Sequence, residues 1–525
     1  MSAPNPATAA GSQQPAAAQP GAQTSASSRQ IRGSSLLLAG RLLSTAINFA
    51  VQVMIVNYLS KSDYGAFAYA LSIVALGETL VTMGLDRAIT RFVPIYHERQ
   101  DLARLHGTIL LVVGAIAALG AAVVSLTYAL QSVLSATLVT DPRALELLLI
   151  LVALAPVQAV DDVVMGLFAT FGSARAIFFR KHVLAPGLRL AVVLLLILGS
   201  SDVRFLAAGY VASGALGILI YGALTVRLLR RRGLLGEGWL RGATVPARDV
   251  LSFTIPLLSS DLVYVVMNTM DAVMLEHFGS TADVAAFRAV QPAARLNQLV
   301  LTSFALLFTP LASRLFARGD REGINTLYWQ TAGWIAVMSF PVFALSFSLA
   351  EPLTLTLFGS RYADSAVILA LLSLGYYCNA AFGQNGLALK VCGRLRYIVA
   401  VNVAAMLINL GLNLVLIPRY GATGAALGTA ISLVAHNVLK QVGLLSGTGI
   451  AVFDRRYLPV YTSIALGAGG LLAVQLLLRP PALVGFLLAA LVSLAVLGLN
   501  RSALRIGTTF PELLRIPLVR RLFGE

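Results

Sequence analysis

Apolar stretches of about twenty residues recur along nearly the whole chain, parted by short polar segments. Their approximate limits are 34–58, 66–86, 107–130, 144–171, 176–199, 205–226, 250–275, 284–312, 330–350, 365–389, 397–417, 422–445, 458–478 and 482–500. A hydrocarbon layer ~30 Å thick takes ~20 helical residues to cross. The pattern therefore predicts an all-α polytopic membrane protein with about fourteen transmembrane helices. A transmembrane barrel would show shorter, alternating segments.

Two of these helices are polar along one side. In the first, Arg41, Thr45, Asn48 and Gln52 recur at helical spacing; in the eighth, Arg288, Gln291, Arg295 and Gln298 do. A guanidinium at the bilayer centre costs at least ~2.5 kcal/mol on insertion scales, so it normally faces a bundle interior or a wet cavity. Arg41 alone could snorkel to a head-group layer. Arg288 and Arg295 are nearly eclipsed at two depths, and one interface cannot serve both. Pro292 is placed to kink the helix between them. The two stripes are expected to face each other across a central cavity, where forked guanidinium groups suit phosphate oxygens.

Acidic residues sit in the second, fourth and seventh spans: Glu78, Asp161, Asp162, Asp261 and Asp271. Intramembrane carboxylates serve ion coupling or act as counter-ions, and fixed pairing with Arg41 or Arg288 is the plainer alternative. Asp161 and Asp162 point about 100° apart, so at most one faces a cavity fully. Asp261, Asn268 and Asp271 share a face. Asn402, Asn409 and Asn413 line span eleven, and Ser432, His436 and Lys440 line span twelve; such stripes commonly join helices.

Composition narrows this further. Only 12% of residues are charged, against roughly 25% in soluble domains. The net charge of +16 would suggest nucleic acid in a soluble protein, but here it follows the loops. The loops assigned to the outside hold only Lys61, Arg143, Arg204, Arg361, Arg419 and Arg479. Most other Lys and Arg lie in or beside the inner loops, which predicts cytoplasmic termini and no nucleic-acid partner. Cys378 and Cys392 fall fourteen positions apart on one predicted helix, too far to bridge. No metal-ligand spacing, nucleophile elbow or phosphate loop is present, and the outer loops are short, so neither catalysis nor a cofactor is expected. Proton or sodium coupling stays open.

The chain also repeats. Leu42-Leu43-Ser44 pairs with Leu257-Leu258-Ser259, Asp63 through Phe67 with Asp283 through Phe287, and Phe92-Val93-Pro94 with Phe308-Thr309-Pro310. Six spans separate the copies, so both keep one orientation, a plan that places a transporter's site at the repeat interface. The expected organisation is a disordered tail (1–33), a first six-helix lobe (34–226), a basic linker (227–249), a second lobe (250–445), two added helices (458–500) and a basic amphipathic tail (501–525).

Several segments carry a family resemblance: Leu59 through Phe67; Asp271 through Leu275 with Phe278-Gly279; Phe308-Thr309-Pro310; and, most specifically, Asn409 through Pro418-Arg419-Tyr420-Gly421 and on to Ala426. The chain resembles the polysaccharide flippase (Wzx-type) branch of the multidrug/oligosaccharidyl-lipid/polysaccharide exporter superfamily. Ala285 and Phe287 depart from that family's usual Gly and Tyr. The resemblance implies a V-shaped two-lobe bundle with alternating access in a bacterial inner membrane. It implies export of undecaprenyl-diphosphate-linked repeat units for a surface polysaccharide such as an exopolysaccharide or O-antigen, with a polymerase and a chain-length regulator as partners. A lipid II flippase and a multidrug/cation antiporter of the same superfamily are the alternatives.

Overall fold

The computed structural model describes residues 20–137, 139–172, 174–234, 242–446 and 448–504. We number its crossing helices α1 (Pro20–Tyr58), α2 (Lys61–Glu98), α3 (Leu102–Ala129), α4 (Pro142–Phe171), α5 (Arg175–Leu198), α6 (Val203–Arg231), α7 (Ala247–Phe278), α8 (Thr281–Ala317), α9 (Arg321–Ser348), α10 (Ser365–Val391), α11 (395–420), α12 (422–445), α13 (Arg455–Leu478) and α14 (Ala482–Leu499). The run Leu395–Leu445 is 51 residues long, or roughly 77 Å at 1.5 Å per residue, more than two membrane crossings. It breaks at Gly421 (φ 53°, ψ −133°), just after Pro418, so the described residues hold fourteen crossing helices. The protein is a multi-pass, all-helical membrane protein.

The sequence repeat is visible as a repeated cap. Ser60 opens α2: its hydroxyl accepts from the Asp63 amide at 3.1 Å and donates to the Asp63 carboxylate at 2.6 Å. Ser280 and Asp283 open α8 in the same way, at 3.3 and 2.7 Å. Each cap satisfies an amide that the helix start leaves unpaired. The two capped ends then cross. A Cβ on Gly65 would lie 1.8 Å from the Thr281 carbonyl oxygen, so the crossing needs glycine there. Its counterpart in the second copy, Ala285, is fully buried. Gly65 supplies the clearance, and the Ala at 285 is accommodated.

Two large apolar cores follow among the described residues, beside a small cluster of Val164, Phe168 and Tyr221 between α4 and α6. The larger runs through the first six helices and continues into α7, α8, α10 and the α11–α12 junction. The smaller joins the far half of α8 to α9, α10, α13 and α14. The added pair α13–α14 leans on α9, where Ser348 donates to the Ala468 carbonyl at 2.9 Å. Asn500 reaches back to Ser463 at 2.8 Å to tie α14 to α13.

The structure corrects several expectations. Helix α1 begins at Pro20, so residues 20–33 of the expected disordered tail are helical. Proline suits a first helical position because its missing amide would be unpaired there anyway. The span holding both cysteines is broken: Gly383 (φ 71°) separates Cys378 from Cys392, and a Cβ there would meet Ala332 at 2.7 Å. The expected linker from 227 begins inside α6, which continues to Arg231. Its far end docks on the first lobe, with the Thr244 amide donating to the Ala103 carbonyl at 3.0 Å. Residues 1–19, 235–241 and 505–525, with most of the expected amphipathic tail, lie outside the described residues.

Candidate functional site

Helix α8 is irregular where its polar stripe lies. Pro292 sits in it, and residues Leu296–Gln298 tighten to a 3-10 turn just after Arg295. The amide of Asn297 fixes that turn, donating to the Ala294 carbonyl at 2.9 Å and to the Ser346 hydroxyl of α9 at 3.1 Å. Arg295 and Gln298, at the two ends of that turn, border two spaces.

The first space, of about 460 Å³, lies between α1 and α8. It is lined by all four stripe residues of α1, Arg41, Thr45, Asn48 and Gln52, and from α8 by Arg295, Gln298 and Thr302. The Gln52 amide donates to the Tyr64 hydroxyl, which holds it against α2. The adjacent face of α1 packs on α5, where Ser44 and His182 Nδ1 are 2.9 Å apart.

The second space, of about 360 Å³, lies among α7, α8, α10, α11 and α12. Its lining is rich in amides and phenols: Asn268, Gln291, Gln298, Asn379, Asn402, Asn409, Tyr264 and Tyr376. Asp271, Arg295, His436 and Lys440 complete the polar wall. Arg295 belongs to both spaces. It is held by two fixed acceptors, with Nε donating to the Tyr376 hydroxyl at 3.1 Å and Nη2 to Asn268 Oδ1 at 2.7 Å.

Arg288 lines neither space. It bridges three helices, donating to Gln291 Oε1 at 2.8 Å, to the Ser72 hydroxyl of α2 at 2.9 Å and to the Asn268 carbonyl at 3.0 Å. Ser72 lies across the lobe boundary, so Arg288 ties α2 to α7 and α8. Only the lower part of the eighth-helix stripe therefore faces the first-helix stripe.

The acidic residues disperse. Asp271 is 1% exposed; it accepts from Asn413 at 2.6 Å and from Thr429 at 3.2 Å. Asp161 pairs with Arg180. Its neighbour Asp162 instead lines a crevice of about 190 Å³ with Glu78, Asp86 and Asp261 between α2, α4 and α7. Asp261 pairs there with Arg87 at 2.7 Å. The seventh-helix face holding Asp261, Asn268 and Asp271 thus serves two places, with Asp261 in the crevice and the other two in the second space. Among the described residues no carboxylate lies within ion-pair distance of Arg41 or Arg288.

The stripes of α11 and α12 join helices and line the cavity together. Asn409 donates to Ser432 at 3.1 Å, and His436 Nε2 lies 2.9 Å from Asn402 Oδ1. Tyr376 and Asn379 do not stand out in the sequence, because the polar residues of α10, among them Ser373, Tyr377, Gln384 and Asn385, spread around the helix instead of forming a stripe.

The two ends of the lobe interface differ. At the α1–α2 turn, Arg361 caps the α1 carbonyls of Leu59 and Asn57, at 3.0 and 2.5 Å, and Asn57 donates to the Leu357 carbonyl at 2.7 Å. Glu276 Oε1 at the same end accepts from the Thr140 amide (2.6 Å), the Thr140 hydroxyl (2.7 Å) and the Asp141 amide (3.0 Å). At the opposite end the Arg87–Asp261 pair is joined by Arg91 stacked 4.2 Å above Phe253.

Residues 31–316 match the family described as Polysaccharide biosynthesis protein, and residues 256–415 match the MatE family. The succinoglycan biosynthesis transport protein ExoT of Rhizobium meliloti (strain 1021) is 26% identical over 343 residues, 62% of this chain and 62% of that protein. An uncharacterized membrane protein of Methanocaldococcus jannaschii is 21% identical over 419 residues, 76% of this chain and 81% of that protein. The solved lipid II flippase MurJ, in an inward closed conformation, aligns with TM-score 0.70 at 16% identity over 89% of this chain and 99% of that one. An inward-facing multidrug resistance MATE family transporter aligns with TM-score 0.62 at 16% identity over 77% and 93%. At such identities the solved structures establish the fold.

Proposed function

This chain belongs to the Polysaccharide biosynthesis protein family, the polysaccharide flippase branch of the multidrug/oligosaccharidyl-lipid/polysaccharide exporter superfamily, and we propose that it moves undecaprenyl-diphosphate-linked repeat units across a bacterial inner membrane. One observation carries the reading. The cationic and amide stripe of α1 shares a space with Arg295 and Gln298, and these two residues also border an amide-lined compartment on the other side. A diphosphate suits Arg41 and Arg295, whose forked donors match phosphate oxygens. A glycan suits the amides and phenols beyond. The prenyl tail stays in lipid. The name of the ExoT relative, a succinoglycan transport protein, supports the polysaccharide branch. Both termini are assigned to the cytoplasm from the loop charges.

The test is the lipid-linked glycan pool of a deletion strain, extracted and sized. A complete repeat unit that accumulates while surface glycan is lost is the expected result. Accumulation of a peptidoglycan precursor would transfer the reading to a lipid II flippase. An unchanged pool with intact surface glycan would remove it.

Asp271 is the residue we assign to coupling with a proton or sodium ion. Among the described residues its buried carboxylate has neutral donors and no cation within ion-pair distance, and Asn413 Oδ1 beside it is buried without a hydrogen-bond partner. Asp271→Asn keeps the shape and removes the charge. Translocation in membrane vesicles should then lose its response to an imposed sodium or proton gradient; an undiminished response takes Asp271 out of coupling.

A further inference from the structure

We propose that the compartment within α7–α12 receives a sugar bearing a carboxylate, and that Lys440 is its counter-charge. This rests on the flippase reading and names the chemical class of its glycan. Lys440 lines that compartment beside His436 and Asn402. A Cβ on Gly386 of α10 would lie 3.8 Å from the Lys440 ammonium, so the side chain reaches across the bundle toward α10. Among the described residues no ion pair includes Lys440.

The charges facing the compartment leave it cationic. Helix α8 contributes Arg295 and helix α12 contributes Lys440, with His436 engaged by Asn402. The one carboxylate of the lining, Asp271 on α7, has one oxygen bonded to Asn413 and the other to Thr429. An ammonium inside a bundle is costly without a counter-ion. The diphosphate is a poor candidate for that role. Its place is beside Arg41, and the two spaces share only Arg295 and Gln298 in their linings. The glycan extends from the diphosphate through this junction. A neutral sugar would use the amides and phenols, which donate and accept, and would leave Lys440 unpaired. A carboxylate on the sugar satisfies it.

The test compares two soluble probes on the purified full chain by isothermal titration, at about 0.15 M salt so that distant charges are screened. Both are short-prenyl diphosphates carrying a disaccharide, one ending in glucuronate and the other in glucose. The acidic probe should bind about tenfold more tightly to the wild type. Lys440→Gln should erase that preference and Lys440→Arg should keep it. Equal affinities in the wild type overturn the inference, as does a preference that survives Lys440→Gln. Both outcomes leave the flippase reading standing. If neither probe binds, and the bare prenyl diphosphate does not bind either, the diphosphate reading fails and this inference fails with it.

Discussion

Arg295→Ala abolishes surface glycan display while the amount of protein in the membrane stays within about twofold of wild type. Arg295 is the residue common to both spaces, and Tyr376 and Asn268 hold its guanidinium in one orientation. A preorganised fork loses little entropy when an anion arrives. Truncating one partner of a desolvated charge pair costs ~2–5 kcal/mol, which is roughly 30-fold to more than 1,000-fold in affinity. Arg295→Lys keeps the charge but loses the fork and should fall between. Arg41→Ala should cost less, because Arg41 is exposed at the cavity edge and exposed charges are screened by water. Arg288→Ala gives a different phenotype. It removes two hydrogen bonds that tie α8 to α2 and α7, with a third to Gln291 within α8, so membrane abundance falls. Immunoblots of membranes beside surface glycan staining separate the three cases. Normal display in Arg295→Ala would sink the site assignment.

Glu276→Ala loosens the α1–α2 turn end of the lobe interface and raises the population of molecules parted there by about 30-fold or more. One carboxylate oxygen, on a side chain 1% exposed, takes three hydrogen bonds from Thr140 and Asp141 of the other lobe. Hydrogen bonds to a charged group contribute ~1.5–3 kcal/mol each, but removing the carboxylate also removes its desolvation cost. A net loss of ~2 kcal/mol is a reasonable scale and corresponds to about 30-fold in a two-state equilibrium. The remaining restraints at this end, Arg361 on the α1 carbonyls and Asn57 on Leu357, keep the bundle folded. Nitroxides at Ser132→Cys and Phe278→Cys, with Cys378 and Cys392 replaced by Ser, report the separation directly. The expected result is a new long-distance population in Glu276→Ala and a smaller one in Glu276→Gln, whose amide oxygen still accepts. An unchanged distance distribution would show that Glu276 does not hold this end shut.

These two residues also show what each level of description could reveal. Arg295 announced itself in the sequence: a guanidinium deep in an apolar helix, in register with Gln298, has few places to go. Glu276 did not. It lies past the end of the apolar run, where a charge does not stand out, and two of its three partners are main-chain amides 135 or 136 positions away. Main-chain donors leave no trace in residue identity. Arg288 was misleading for a related reason. Its spacing matched Arg295, but its acceptors include a carbonyl and the hydroxyl of Ser72, neither of which marks a binding partner in a sequence. The acidic face of α7 failed differently. Asp261, Asn268 and Asp271 align on a helical wheel, yet Asp261 pairs with Arg87 in a separate crevice while the other two border the second space, and a wheel collapses depth.

The sequence by itself determined the class, the helix count and the repeat. Each is local or periodic: about twenty apolar residues per crossing, a basic bias in alternate loops, and short recurring segments such as Asp63 through Phe67 and Asp283 through Phe287. It also marked the polar stripes, because charge in an apolar helix stands out without knowledge of its partner. Only the tertiary structure decided where those stripes point. Arg295 and Gln298, at the ends of the 3-10 turn Leu296–Gln298, border both compartments while Arg288, one heptad before Arg295, bridges helices. The division of the cavity, the isolation of Lys440 and the Glu276 latch depend on contacts between residues far apart in the chain. Such contacts are fixed by packing, where a glycine such as Gly65 sets how closely two helices approach and so which side chains meet.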